Sequence, residues 1–194
     1  VAIDNQGTLY IATDNGISLG WNVELGLFFE NYDDSFGIAS NVINQVVIDN
    51  ANTAVYLATN NGLSVSSLGF FDEFTNYLNG ANVSSFSIRN GVWYLGVTGE
   101  QHGVYISIDQ GETFTRRKLD PVDIVPVLDV EVTEFAIYAS TASGLAVSVD
   151  GGENFNFYTP DNSAIASSTV NKVVALRNTS IQAVATSRGL IISE

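Results

Sequence analysis

The sequence predicts an all-β protein in which one four-stranded antiparallel unit is repeated five times along 194 residues. Three observations support this fold class: a recurring β-prone segment that ends in glycine, a repeat length of 41 to 46 residues, and the absence of apolar residues at helical spacing. The composition agrees, because 45% of the residues are hydrophobic and only 14% are charged, which favours a large buried core over disorder.

The repeated segment is an apolar run followed by a polar turn and a glycine. It reads Thr8-Leu-Tyr-Ile-Ala-Thr-Asp-Asn-Gly16 in the first repeat and Ala54-Val-Tyr-Leu-Ala-Thr-Asn-Asn-Gly62 in the second. The related segments of the other repeats place their glycines at Gly103, Gly144 and Gly189. Successive glycines are 46, 41, 41 and 45 residues apart. This is the length of one four-stranded blade of a β-propeller, and we predict that fold.

The second repeat shows how each strand is predicted. Ile43–Asp49 is rich in β-branched residues and is expected to be the inner strand, and Ala54–Thr59 is an apolar run typical of a strand buried on both faces. Gly62–Ser66 is the predicted third strand, and the more polar Glu73–Leu78 is the predicted outer strand. Asn and Gly between these segments tolerate the positive φ of tight turns.

The repeats are expected to form a single β-propeller domain over residues 1–194. The fifth repeat ends after its third strand. Either five blades close with one strand short, or further blades lie outside this chain and complete a larger ring; both alternatives stay open here. The blades are predicted at approximately 1–40, 41–81, 82–121, 122–165 and 166–194.

Two segments of the third and fourth repeats follow one pattern. Ser107-Ile-Asp-Gln-Gly-Glu-Thr-Phe114 and Ser148-Val-Asp-Gly-Gly-Glu-Asn-Phe155 both fit S-x-D-x-G-x-[TN]-[FW], and they lie 41 residues apart. The pattern resembles the Asp-box, or BNR, repeat of sialidase-like propellers and sortilin-type receptors. The aspartate is expected to accept hydrogen bonds from backbone N–H groups two or three residues later. Structural roles are therefore predicted for Ser107, Asp109, Gly111, Phe114, Ser148, Asp150, Gly152 and Phe155.

A second resemblance comes from the second repeat. The segments Ala39-Ser-Asn-Val-Ile-Asn-Gln-Val46 and Tyr56-Leu-Ala-Thr-Asn-Asn-Gly-Leu-Ser64 look like the propeller repeats of two-component regulator sensors. Both resemblances imply the propeller fold, which hosts many functions.

The predicted ligand-binding site lies on one rim of the propeller, where the connectors after the second and fourth strands emerge. His102, the single histidine, lies there in a loop that is three residues longer than its counterparts. It is either a proton donor or metal ligand beside Glu100, or a solvated loop residue. The candidate rim residues are Asp14, Asn15, Asn60, Asn61, Glu100, His102 and Arg188.

No cofactor is expected from the composition. The chain has no cysteine and only one histidine. A single histidine without a second histidine or a cysteine cannot anchor a tight transition-metal site. Calcium is the one ion left open, because the pairs Asp33-Asp34 and Asp120 with Asp123 could bind it through oxygen atoms. Solvated loop carboxylates are the alternative interpretation.

Two sets of side chains on the predicted outer strands could form an interface. Arg116-Arg117-Lys118 is the one basic cluster, and three interpretations stay open: a salt-bridged blade edge, an interface with an acidic partner patch, or a solvated run. A set of aromatic residues either packs between blades or makes a protein–protein surface. These are Phe28, Phe29, Tyr32, Phe70, Phe71, Phe74, Tyr77, Phe155, Phe157 and Tyr158.

Catalysis is not expected. The Asp-box resemblance raises the possibility of sialidase activity, which in that family needs three arginines around a substrate carboxylate. Here only Arg89 and Arg177 end predicted inner strands, and the family's F-R-I-P segment is absent. An inverting glycosidase, which uses two carboxylates about 6.5–9.5 Å apart, is the one enzyme class kept open.

The net charge and the composition argue against two classes of partner, nucleic acids and lipid bilayers. A net charge of −14 disfavours nucleic acid, and no apolar run is long enough to insert in a membrane. The chain is expected to be secreted or on the cell surface. We expect a non-catalytic interaction or structural module that binds a protein, a glycan or a neighbouring copy through a propeller rim or the outer blade edges. The alternatives are the ligand-sensing propeller of a signalling receptor and a fragment of a glycoside hydrolase.

Overall fold

The computed structural model describes residues 1–23, 26–69, 71, 73–119, 125–175 and 182–193. Within these ranges the secondary structure is all β apart from one 3-10 turn at Asp34–Phe36. None of the described helical structure is long and apolar enough to cross a lipid bilayer. The chain divides into two compact units, Val1–Ser84 and Ser85–Glu194.

The first unit contains two four-stranded sheets whose strands follow one another in chain order. The first sheet consists of β1 (Ala2–Ile3), β2 (Leu9–Thr13), β3 (Gly16–Val23) and β4 (Gly26–Tyr32). The second consists of β5 (Ile43–Asp49), β6 (Ala54–Thr59), β7 (Gly62–Ser67) and β8 (Thr75–Tyr77). The four strands predicted for this repeat are confirmed, although the outer one is only three residues long.

The second unit holds the remaining three sheets, and the first strand of the third sheet begins just before the boundary between the units. The third sheet consists of β9 (Asn82–Arg89), β10 (Val92–Thr98), β11 (Gly103–Ser107) and β12 (Thr115–Arg117). The fourth consists of β13 (Val127–Val132), β14 (Ile137–Thr141), β15 (Leu145–Ser148) and β16 (Asn156–Tyr158). The fifth has three described strands, β17 (Val170–Ala175), β18 (Gln182–Thr186) and β19 (Gly189–Ser193).

A threonine and a glycine close the turn between the second and third strands of a sheet. In the second sheet the Thr59 hydroxyl donates to the Gly62 carbonyl at 2.8 Å and accepts from the Asn61 N–H at 3.1 Å. One buried hydroxyl thus satisfies a donor and an acceptor of the same turn. The same pair of hydrogen bonds is made by Thr13, Thr141 and Thr186 in the first, fourth and fifth sheets.

The glycine of this turn lies against the outer strand. Gly62 has φ +127°, and a Cβ at this position would come within 2.5 Å of the Tyr77 carbonyl oxygen. Only glycine allows both that conformation and that approach. The equivalent Gly189 has φ +128°, but in the three-stranded fifth sheet a Cβ there would meet no described atom within 4 Å.

Each unit buries its own apolar residues between neighbouring sheets. The core of the first unit includes Tyr10, Ile17, Leu19, Ile43, Val55, Leu57 and Phe71. One core of the second unit includes Val104, Leu119, Val127, Val130, Ile137 and Ala146, and the next includes Tyr138, Leu145, Val170, Val173 and Val184. This packing explains why the central strands are continuous apolar runs.

A register shift at the start of the inner strand recurs in the second, fourth and fifth sheets. The shifts lie between Ile43 and Gln45, between Val127 and Asp129, and between Val170 and Lys172. In the second unit, the Lys172 ammonium lies 2.8 Å from Oδ1 of Asp129, whose side chain is only 8% exposed. Oδ2 of Asp129 has no hydrogen-bond partner among the described residues. The ion pair therefore links two inner strands of different sheets.

The first prediction concerns the threonine turn. Thr59→Val keeps the shape of the side chain but leaves the Gly62 carbonyl and the Asn61 N–H without their partner. We expect the free energy of unfolding, measured by urea denaturation, to fall by about 1–3 kcal/mol. Thr59→Ser retains the hydroxyl and should lose clearly less. A valine variant as stable as the serine variant would show that the hydroxyl is not needed.

The second prediction compares two glycines. Gly189→Ala should lower the free energy of unfolding by about 1–2 kcal/mol, because only the left-handed backbone conformation opposes the methyl group. Gly62→Ala should cost about 3 kcal/mol or more, because the outer strand must also move away. Urea denaturation of both variants measures the difference. Equal losses would mean that the approach of the outer strand carries no energetic weight.

Candidate ligand-binding cleft

The predicted rim residues of the first unit lie in the turns between second and third strands, as the repeat pattern indicates. Asn60 and Asn61 are engaged within the protein: Asn44 Nδ2 donates to Oδ1 of Asn60 at 3.2 Å, and Asn61 Nδ2 donates to the Ala39 carbonyl at 3.0 Å. Their amides therefore stabilise the turn and the preceding linker. Whether these turns also bind a ligand stays a prediction.

The first two sheets are joined at these turns by the linker between them. The Gly16 N–H donates to the Asn41 carbonyl at 2.7 Å, and the Asn60 N–H donates to the Val42 carbonyl at 3.1 Å. Asp14 and Asn15, which precede Gly16, are both exposed. The linker thus brings the two predicted turns of this unit together.

In the second unit, Glu100 and His102 lie in the longer turn between β10 and β11, and Arg188 lies between β18 and β19. Nδ1 of His102 is 2.8 Å from the Gly99 carbonyl, and the His102 carbonyl accepts two hydrogen bonds from the Arg116 guanidinium, at 2.8 and 2.6 Å. These contacts show that His102 and Arg116 help to hold the loop in place.

The two S-x-D-x-G segments form nearly identical turns. In the first, the Thr113 N–H donates to Oδ1 of Asp109 at 2.9 Å, and the Gly111 N–H donates to the Ser107 hydroxyl at 2.8 Å. In the second, the Asn154 N–H and the Gly152 N–H make the matching bonds to Asp150 and Ser148, at 2.9 and 2.8 Å. The 2.9 Å backbone bond to each aspartate comes from the residue four positions later, one position beyond the expected range, because two successive positive-φ residues lengthen each turn; Asp150 also accepts from the Glu153 N–H, three positions later.

Hydrogen bonds hold these two carboxylates in their charged form. The Thr113 hydroxyl and N–H and the Ser107 hydroxyl lower the pKa of Asp109 to about 2. The Asn154 N–H, the Asn154 side-chain amide and the Ser148 hydroxyl do the same for Asp150. Phe155 packs against an apolar core of the second unit and Phe114 is half-buried, so each segment anchors its turn to a sheet.

Several of the remaining charged candidates form ion pairs or hydrogen bonds within the protein. Arg117 pairs with Glu153 from the fourth sheet, which makes the predicted salt-bridged edge, and Arg89 lies 3.6 Å from Glu134. Asp33 caps the 3-10 turn and accepts from the Ser35 N–H at 3.0 Å. Within the described ranges no group of three or more His, Cys, Asp or Glu side chains could hold a metal ion. Asp120, Asp123, Arg177 and Phe70 lie outside the described residues.

The predicted aromatic set divides between core and surface. Tyr32, Phe71 and Phe74 belong to the packed interior of the first unit, whereas Phe28 and Phe29 on β4 are about half exposed. Both interpretations therefore apply to different members of the set. Tyr158 on β16 is a further exposed member of the set.

A cleft of ≈ 440 Å³ lies in the first unit, at the opposite end of the strands from the predicted turns. Its polar wall is formed by the β1–β2 turn and the β5–β6 turn, and its floor is the apolar core. This volume is within the usual range of small-ligand sites, about 300–1,000 Å³. The lining residues are Asp4, Asn5, Gln6, Thr8, Tyr10, Leu19, Trp21, Glu30, Tyr32, Asn50, Thr53, Leu68, Gly69 and Phe71.

Strand alternation explains which side chains reach the cleft. Leu19 of β3 lies opposite Glu30 of β4, and Trp21 lies opposite Phe28, so all four project from the same face of the first sheet. The Trp21 and Phe28 rings are 5.2 Å apart. Glu30 is therefore a carboxylate in a row of aromatic and aliphatic side chains.

Tyrosine–carboxylate hydrogen bonds position two lining residues. The Tyr10 hydroxyl donates to Oδ2 of Asp4 at 3.0 Å, and the Tyr32 hydroxyl donates to Oε2 of Glu30 at 2.8 Å. Burial, followed by the bond to Asp4, raises the pKa of Tyr10. Partial burial opposes ionisation of Asp4, but the hydrogen bonds from Thr8, Tyr10 and Gln6 together lower its pKa. Asp4 is thus a fixed anion of the cleft.

The charge around this cleft has one sign. Residues 1–84 contain nine acidic side chains and no Lys, Arg or His, so all seven Lys and Arg residues of the chain belong to residues 85–194. Neither the cleft nor this asymmetry was among the features predicted from the sequence. The cleft walls come from two sheets and could not be paired from sequence, but a charge count for each half would have shown the asymmetry.

A second cleft of ≈ 440 Å³ lies in the second unit and is more apolar. Tyr138, Leu145, Val147, Val184 and Ile191 contribute to its walls. Its composition would suit an apolar side chain.

The third prediction concerns pH. The pKa of Asp109 and of Asp150 is about 2 in the folded protein, against 3.8 for an unperturbed aspartate. Because folding lowers these pKa values, both carboxylates stabilise the fold above about pH 4. That stabilisation should be lost as the pH falls from 4 towards 2. Carboxyl-carbon NMR should give titration midpoints of about 2 for both residues.

The control for this prediction compares unfolding midpoints between pH 4 and pH 2. The double variant Asp109→Asn/Asp150→Asn should show a shallower fall than the wild type, and Asp161→Asn, an exposed carboxylate outside both turns, should follow the wild type. Identical slopes for all three proteins would contradict the assigned roles.

No protein-family model and no curated protein sequence matches this chain. The likeness to solved structures is nevertheless extensive. The extracellular domain of BT4673 from B. thetaiotaomicron, assigned to a one component system, matches with a TM-score of 0.78 and 16% identity, over 98% of this chain and 26% of that one. An ancestral GH74 enzyme matches with a TM-score of 0.74 and 14% identity, over 96% of this chain and 27% of that one.

A third match is smaller and has a peptide bound. YCF48 bound to D1 peptide gives a TM-score of 0.67 and 14% identity, over 97% of this chain and 61% of that protein. This chain thus spans about a quarter of the length of the first two proteins. Matches at this level of identity show the fold, and with the five sheets described above they establish that this chain is built as β-propeller blades.

Proposed function

We propose that this chain is a non-catalytic binding module of an extracellular or cell-surface protein, and that the cleft of the first unit is one of its binding surfaces. The observation that carries the proposal is the cleft itself: ≈ 440 Å³, with aromatic side chains beside hydrogen-bonding amides and carboxylates. Binding sites combine apolar contact area with a few fixed polar groups in this way. A protein segment and a glycan are both candidate occupants.

The comparisons support an extracellular binding role without selecting the ligand. The BT4673 structure is that of an extracellular domain, and the YCF48 structure has a peptide bound. The S-x-D-x-G turns, which resemble Asp-box repeats, are engaged in backbone hydrogen bonds and support a structural role for that pattern. The turns at Asp14-Asn15 and Asn60-Asn61 stay a second candidate surface.

The case against catalysis rests on the groups present in the cleft. Asp4 accepts hydrogen bonds from two backbone N–H groups and from the Tyr10 hydroxyl, so it is poorly suited to donate a proton to a leaving group. No arginine is among the described residues that line the cleft, so a substrate carboxylate would lack the guanidinium contacts that sialidases use.

Two alternatives have a specific observation in their favour. The likeness to BT4673 favours the sensing propeller of a signalling receptor, in which ligand binding would be the same event. The likeness to a GH74 enzyme favours a piece of a glycoside hydrolase. Release of reducing sugar from a panel of polysaccharides would support the hydrolase and contradict the non-catalytic module.

The fourth prediction tests binding directly. The full 194-residue chain should bind members of either a glycan array or a random peptide library saturably, with a change in Trp21 fluorescence. Trp93 is only 4% exposed and should contribute a constant signal. Trp21→Phe should remove the fluorescence change and weaken binding.

Absence of saturable binding in both libraries would contradict the proposal. Sedimentation at increasing protein concentration provides the third arm. Ordered self-association would favour the neighbouring copy as the partner.

A further inference from the structure

We infer that the cleft of the first unit binds an organic cation, and that an arginine side chain of a protein partner supplies it. This inference rests on the proposed function, because it names the chemistry of the occupant of the same cleft. Four features of the described residues carry the argument: the aromatic walls, the carboxylate of Glu30, the sign of the surrounding charge, and the amides at the mouth.

The aromatic walls suit a cation. The half-buried Trp21 and Tyr32 present their rings to the cleft, and the buried Tyr10 and Phe71 belong to the core that forms its floor. The faces of such rings carry negative electrostatic potential and attract guanidinium and ammonium groups, and tryptophan does so most strongly. The Tyr32 and Phe71 ring centroids are 5.0 Å apart, and Tyr10 and Phe71 are 6.1 Å apart, so several rings border one small volume.

Glu30 supplies a carboxylate at the edge of these rings. Within the described part of the chain, the one hydrogen bond of the Glu30 side chain is the one that Oε2 accepts from the Tyr32 hydroxyl. Oε1 is thus available to a ligand donor, and the exposed position of Glu30 leaves room for approach. A planar guanidinium can donate to a carboxylate while its face lies on an aromatic ring, which a compact ammonium does less well.

The charge distribution selects against the alternatives. Residues 1–84 carry nine acidic side chains and no basic side chain, so no side chain of the same unit offsets the field in the cleft. An anionic ligand would be repelled, and a neutral sugar would gain nothing from the field. A cation gains from both the field and the rings.

A protein partner is the source that the cleft mouth favours. The exposed side chains of Asn5 and Gln6 lie beside the cleft and offer amide donors and acceptors suited to peptide groups. A polypeptide that presents arginine to the rings can also pair its backbone groups with these amides, which adds contacts that a free small cation without a peptide backbone lacks. The long-range attraction of an acidic unit also accelerates encounter with a basic protein surface.

The test measures binding of three synthetic peptides to the full chain by Trp21 fluorescence and calorimetry. All three have the same Gly/Ser background, with a central arginine, lysine or citrulline; citrulline has the shape of arginine but no charge. We expect the arginine peptide to bind about tenfold more tightly than the citrulline peptide. The lysine peptide should fall between them, and added salt should weaken only the two charged peptides.

Two matched variants locate the binding. Glu30→Gln keeps an acceptor for the Tyr32 hydroxyl and should weaken the arginine peptide about fivefold while leaving the citrulline peptide unchanged. Asp161→Asn removes the same charge from an exposed residue of the second unit that belongs to no candidate site, and it should change affinity less than twofold. Equal losses in the two variants would attribute the attraction to the overall field and overturn the cleft assignment.

Other outcomes are equally decisive. Equal affinities for arginine and citrulline would overturn the cation. Argininamide alone binding as tightly as the peptide would overturn the protein source. If the libraries yield a glycan or a peptide without basic residues, this inference fails while the binding module stands; if neither library yields a ligand, the proposed function fails.

Discussion

The close approach of the third strand to the outer strand is the constraint on which each four-stranded sheet depends. In all four of these sheets the glycine at the start of the third strand lies so near the outer-strand carbonyl that no side chain fits there, and in the first, second and fourth sheets a threonine hydroxyl closes the preceding turn. Register, strand order and the placement of alternate side chains all follow from this turn. In the first sheet Glu30 of the outer strand pairs with Leu19 of the third strand, and both lie on the face that borders the cleft.

The first unit concentrates charge of one sign around aromatic side chains, and this combination is what gives the cleft a chemical character. Separately, each feature has a mundane explanation: aromatic residues fill a core, and acidic residues keep a surface hydrated. Together, with no basic residue in the first 84 positions, they describe a place where a cation loses little on leaving water. The structural role of Asp4 in its turn keeps that charge fixed.

The repeat pattern made the fold predictable from the sequence. Because such a pattern describes only residues that are near one another in the chain, it could not predict contacts between sheets. The strand bounds of the second repeat follow from residues adjacent in sequence, and so do the threonine–glycine turns. The aspartate turns were placed correctly, but their hydrogen bonds reach one residue further because Gln110 also adopts positive φ. The cleft joins Asp4, Glu30 and Asn50 from different sheets, and no local pattern pairs them.

The ion pair between Asp129 and Lys172 makes similar repeats non-equivalent. The lysine follows a register shift in the fifth sheet, and the position after the corresponding shift in the second sheet is Gln45. If an evolutionary duplication replaced the fifth repeat by a copy of the second, an uncharged amide would stand where the lysine now meets Asp129. The largely buried carboxylate would then lose its cation. The ion pair thus requires the repeat that carries Lys172 to follow the one that carries Asp129. It therefore limits the order in which such repeats can be exchanged.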